Sequence, residues 1–167
     1  MNWAVDLIQD HLKFLAEFEK DFGPATALLK FGQAFEATDE KPTWLKRGVA
    51  KQCYKNATQV MLNRDDVFYA EGFAIDFDMP IPLEHAWLVD ANGHVIDPTW
   101  DRAEDHLYFG VVFERDAIQS AMVSNGGDAG ILTDYKLMRR LGSSADIFSR
   151  ILVPSFTSPL SQPGRGL

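Results

Sequence analysis

A single cysteine, Cys53, stands in the segment Gln52-Cys53-Tyr54-Lys55-Asn56-Ala57, whose apolar spacing is helical. Further along come His85-Ala86-Trp87 and Asp97-Pro98-Thr99-Trp100. A thiol near a helix start, an imidazole on a strand and a carboxylate on the next strand can divide the work of a thiol hydrolase. The helix N-terminus carries partial positive charge, which favours a thiolate. An adjacent imidazole takes the thiol proton. A carboxylate on the ring's far nitrogen fixes the tautomer and stabilises the imidazolium. Taken singly, each residue has a plainer role. A lone cysteine on an apolar helix face is most often a small buried hydrophobe, and Asp-Pro favours turns.

Strand parity tests whether His85 and Asp97 can meet, because side chains alternate between the faces of a sheet. A two-residue turn at Asn92-Gly93 would set Asp97 opposite Leu88, facing away from His85. A three-residue turn, Ala91-Asn92-Gly93, would pair Asp90 with His94 and set Trp87 opposite Asp97. His85, Trp87, Asp97 and Thr99 would then share one face, with His85 a diagonal neighbour of Asp97. Gly93 suits the left-handed residue that ends a three-residue loop, and Asn-Gly also suits the shorter turn. The catalytic reading requires the longer one.

Cys53, Tyr69-Ala70-Glu71-Gly72-Phe73, His85-Ala86-Trp87 and Asp97-Pro98-Thr99 together resemble the transglutaminase-like branch of the papain-like cysteine peptidases. The resemblance covers roughly residues 44–113. It implies an α+β fold in which a nucleophile helix packs on a small antiparallel sheet, here with an added helical N-terminus. It also implies acyl-enzyme chemistry on an amide, with Cys53, His85 and Asp97 as the catalytic triad. One feature departs from the family pattern. The family often has Gly-x-Cys at the nucleophile, and here the residue two before Cys53 is Lys51.

In that mechanism the backbone N–H of Cys53 donates to the developing oxyanion, and a second donor is needed. Gln52 and Trp44 are candidates. Asn56, three residues beyond Cys53, either hydrogen-bonds the site or caps local structure. Glu71 has the same parity as Tyr69 and Phe73, so it is a structural ion-pair partner or a site residue. Trp87 and Trp100 are expected to wall a substrate groove, or to be plain core. His11, His94 and His106 lack such neighbours. No histidine spacing suggests a metal site, and no metal or cofactor is expected.

These residues need elements to hold them. Apolar recurrence predicts a helix over 3–20 and a second from Pro24, with Ala27, Leu28, Phe31 and Phe35 as its buried stripe. Residues 37–42 read as a loop, and about 50–63 as a third helix. Alternation over 67–77 predicts a strand, and two more are expected at 85–90 and 94–97. Leu107 to Phe113 reads as a strand, or as the entry to a helix running through Met122. Residues 124–128 suit a flexible loop and 134–141 a short helix. The expected organisation is one domain over 1–153, with helices over about 1–36, and a flexible tail over 154–167.

Length and composition agree with a globular enzyme. The 167 residues suit one domain, and 46% hydrophobic content is ordinary for a folded chain. Sixteen basic against 24 acidic residues give a net charge of −8, which disfavours nucleic acid as a partner. One cysteine allows no disulfide within the chain. The acidic start lacks the pattern of a signal peptide, and no stretch approaches a membrane span. A cytoplasmic protein is therefore expected, and the resemblance implies a peptide or protein amide substrate. Its reaction would be that of a peptidase, amidase or deamidase, with acyl transfer to an amine as a variant. The alternative is a non-catalytic binding or regulatory module that retains a transglutaminase-like fold.

Overall fold

A computed structural model of the chain describes residues 2–127, 130–141 and 144–157. Among these, six α-helices accompany one antiparallel sheet of five strands, so the class is mixed α+β. The elements are α1 (Trp3–Ala16), α2 (Pro24–Phe31), β1 (Gln33–Phe35), α3 (Cys53–Asn63), β2 (Phe68–Asp76) and β3 (Leu83–Val89). They continue with β4 (Val95–Ile96), β5 (His106–Phe113), α4 (Arg115–Ser124), α5 (Tyr135–Leu141) and α6 (Ala145–Ser149). The strand order is β1-β5-β2-β3-β4.

In α1, Ala4, Ile8 and Leu12 recur every fourth residue and are fully buried. Burying a side chain the size of Ile8 or Leu12 contributes about 1.5–3 kcal/mol. The helix stops at Ala16 rather than at 20. Phe18 beyond it is 73% exposed, and Glu19 turns forward to accept the Ala25 and Thr26 N–H groups at 3.1 and 2.9 Å. Those are free donors at the start of α2, so the expected last turn of one helix is instead the cap of the next. Phe35 does not continue the stripe of α2, because α2 ends at Phe31 and Phe35 lies on β1.

The sheet buries both faces. One carries Tyr69, Phe73, Ile75, Leu107, Phe109 and Val111 against the helices, with α1, α2 and α3 all contributing. The other carries Ala70, Trp87, Val89, Tyr108 and Val112 under Phe35, Val153 and Phe156. Central β2 passes so close to β5 that a Cβ at Gly72 would lie 2.1 Å from the Phe109 carbonyl oxygen. Only glycine fits opposite Gly110 there.

Residues 107–113 form a strand, and the helix that follows begins separately at Arg115. The expected tail does not start at 154. Pro154–Phe156 forms a 3-10 turn, and Phe156 is buried against Phe35 and Phe68. The rest of that expectation, 158–167, lies outside the described residues, as does Asp128 of the expected loop.

Candidate active site

The turn between β3 and β4 sets the geometry. Leu88 pairs with Ile96 and Val89 with Val95, which is the register of the three-residue loop. Asp90 N–H donates to the His94 carbonyl at 3.0 Å, and Gly93 takes φ +84°. That left-handed residue is what a three-residue hairpin loop demands. His85 and Asp97 therefore meet, with Nε2 of His85 2.7 Å from Oδ2 of Asp97. His85 is 2% exposed and Asp97 5%.

Asp97 is fully engaged. Oδ2 also accepts the Tyr108 hydroxyl at 2.8 Å, and Oδ1 accepts the Thr99 and Trp100 N–H groups at 2.8 and 3.0 Å. Burial pushes this carboxyl up, but the His85 bond and charge, with the two backbone N–H groups, outweigh it and hold it below its usual value. An ionised carboxylate only accepts, so Nε2 of His85 is the donor. On His85, burial acts to lower the pKa. The bonds to Asp97 and Cys53 overcome that and raise it to about 9. The protonated ring is thus favoured. Trp100 stacks on it with centroids 3.7 Å apart and planes 11° apart, an arrangement that favours a cation.

Cys53 is the first residue of α3 and half-buried. The helix packs against β3, which brings Cys53 close enough to His85 to help raise its pKa. No side chain caps α3, so its first N–H groups have no capping side-chain acceptor. The approach to Cys53 is held by long-range bonds. Gly48 N–H donates to the Pro98 carbonyl at 2.7 Å. Asn56 Nδ2 donates to the Val49 carbonyl at 2.8 Å and to Thr99 Oγ1 at 3.0 Å. These tie the segment before Cys53, the helix itself and the Asp97 loop into one frame. Lys51, two before the cysteine, has φ +64°. That left-handed conformation, which glycine adopts freely, is held here by a lysine at a strain of about 1–2 kcal/mol.

The remaining candidates separate. Gln52 is exposed at the N-cap of α3, and its side chain makes no capping bond. Trp44 is turned toward the far end of α3, where the Arg64 guanidinium lies 3.9 Å from its ring centroid. It is thus placed away from any oxyanion at Cys53. Asn56 is buried and committed to Val49 and Thr99, so it positions the loops and does not face substrate. Glu71 is fully buried and has no cationic partner among the described residues. It accepts the Tyr69 hydroxyl at 2.8 Å and the N–H groups of Ile131 and Leu132 at 2.7 and 2.9 Å. Burial raises its pKa, and those three bonds oppose the rise. Its work is to anchor residues 131–132 to β2.

Trp87 is fully buried in the second core, so it walls no groove. Trp100 is partly exposed and covers His85. Nothing in the local sequence marks Tyr108, which reaches Asp97 only because β5 lies in the same sheet. His106 likewise gains company, stacking on Trp100 at 4.6 Å.

No family model, curated protein or solved structure matches the chain. Among the described residues no cluster of His, Cys, Asp and Glu could hold a metal ion, and no helix is long and apolar enough to cross a membrane.

Proposed function

We propose that this chain is a cysteine hydrolase of the transglutaminase-like, papain-like type that cleaves an amide bond through an acyl-enzyme on Cys53. The observation that carries the reading is the buried 2.7 Å bond between His85 and Asp97, with Cys53 close enough to help raise the pKa of His85. A nucleophile helix on an antiparallel sheet supports the fold assignment. A reducing cytosolic setting would keep the thiol free.

The roles follow from position. His85, as imidazolium, favours the Cys53 thiolate beside it. The sulfur attacks the amide carbonyl, an S–C bond forms, and the oxyanion takes hydrogen bonds from N–H groups at the start of α3, with the Gln52 side chain as the second donor. His85 gives its proton to the departing nitrogen as the C–N bond breaks. It then takes a proton from water, which attacks the thioester, releases the carboxylic acid and restores the thiol pair. Asp97, held by Tyr108, Thr99 and Trp100, keeps the ring in register throughout.

A second reading, a binding module without turnover, is favoured by one observation. Trp3, Leu7, Phe14 and Phe18 of the N-terminal helical region are 37–73% exposed. An activated ester separates the two. With p-nitrophenyl acetate the expected result is a burst of nitrophenolate equal to the protein present, with an acetyl mass on Cys53. The burst rate should fall by roughly 100-fold or more in His85→Ala. No burst and no adduct would favour the binding module.

A further inference from the structure

The turn that joins β2 to β3 carries Phe77, Met79 and Ile81, and Leu83 opens β3; all four are 42–62% exposed. Single exposed apolar side chains are ordinary, but four at alternate positions across one turn and the strand after it suit a contact surface. Trp3 at the start of α1, 50% exposed, extends it, meeting Phe77 edge-on with centroids 6.0 Å apart. At its other end the surface leads to the site. Leu83 stands two residues before His85 on β3, on the same face and about 7 Å away by strand rise.

Carboxylates outnumber cations around this lip. No lysine or arginine occurs between Arg64 and Arg102, Arg102 itself is paired with Asp105, whose carbonyl accepts the Phe77 N–H at 3.0 Å, and His106 lies 3.6 Å from Asp76. The hairpin carries Asp76, Asp78 and Glu84, and Asp6 lies one helical turn from Trp3. A second copy of this chain would bring the same acidic rim, and each chain already carries −8. Anionic membranes and nucleic acids are repelled for the same reason.

We propose that this lip receives an extended segment of a protein substrate that is apolar at its centre and flanked by lysine or arginine. The segment's apolar residues would lie on Met79, Ile81 and Leu83, its cations would face Asp76, Asp78 and Glu84, and the chain would run on toward Cys53. That the occupant is a substrate rests on the hydrolase reading; that it binds here does not.

Binding is therefore measured in Cys53→Ala by fluorescence anisotropy with two dye-labelled peptides. Both have a leucine–phenylalanine centre, one with paired lysines at each end and the other with paired glutamates. The expected result is that the lysine peptide binds at least about tenfold tighter, and weakens severalfold between about 0.05 and 0.5 M salt. The double substitution Met79→Ser, Ile81→Ser should weaken it about tenfold further while leaving the thermal midpoint unchanged, since both residues are exposed. Equal affinity for the two peptides, no binding of either, or binding indifferent to the double substitution would overturn the proposal. So would self-association of the protein that the double substitution abolishes. A peptide that binds while the ester burst is absent would leave the surface standing and sink the hydrolase reading.

Discussion

Asp97 accepts four hydrogen bonds, two on each oxygen, and this saturation decides what His85 can do. The carboxylate has no room for a second arrangement of the ring, so Nε2 keeps its proton on Asp97 and only the other nitrogen is left to serve the thiol in the proposed reaction. The same contacts make stability depend on pH. The pKa of His85 is raised from 6.5 to about 9, so the fold binds that proton more tightly than the unfolded chain does. The resulting stabilisation is complete below about pH 6.5 and is lost as pH rises through about 9. Its size is on the order of 3 kcal/mol for a shift of this extent. In Cys53→Ala, where no thiol titrates over the same range, urea unfolding should therefore weaken by up to roughly that amount between pH 6 and pH 9.5, and the double variant Cys53→Ala, His85→Ala should lose far less. A Cys53→Ala profile as flat as that of the double variant would contradict it.

At the scale of elements, the part most legible in the sequence was the β3–β4 turn. Gly93 suited the register in which the acid and the base meet, Asn92-Gly93 suited the shorter turn as well, and β4 adopts the longer one. Short-range signals narrow the choice to two there because a hairpin is local. The frame before Cys53 was not legible. Asn56 bonds Thr99 across 43 positions of chain, and Glu71 bonds Ile131 across 60, distances over which spacing carries no pattern. Glu71 therefore read as an ion-pair partner or a site residue, and it bonds the N–H groups of Ile131 and Leu132 as a loop anchor. Phe35 read as part of a helix because a strand of three residues, Gln33–Phe35, is too short for alternation to register. Lys51 tests this frame. If its left-handed backbone is strain held by the surrounding bonds, Lys51→Gly should raise stability by up to about 1 kcal/mol, net of glycine's greater freedom in the unfolded chain. Thermal unfolding reads the change, and a clear loss of stability would show that the lysine side chain contributes something the strain argument omits.

At the scale of the whole molecule, two cores on opposite faces of one sheet hold the site between them. The helical core brings Cys53 from one side, and the second core holds Trp87 and Tyr108 beneath His85 and Asp97 on the other. Neither layer alone sets the distance between thiol and imidazole. The N-terminal helices belong to this arrangement, because Ala4, Ile8, Leu12 and Leu28 are part of the core under Phe73 and Phe109. Removing them should disturb the sheet that carries the site. Length and composition indicated a single globular unit, but only the register of five strands places Tyr108 beside Asp97.

The central claim is that Cys53 and His85 act as a thiolate–imidazolium pair, and iodoacetamide tests it without any knowledge of the substrate. The alkylation rate of Cys53 would be followed from pH 5 to pH 10 in the wild type and in His85→Ala. An ordinary thiol gains reactivity only as pH nears about 8.5. The expected result is fast modification of the wild type already at pH 6–7, with that low-pH reactivity lost in His85→Ala. A Cys53 that is inert throughout, or whose profile is the same with and without His85, would contradict it.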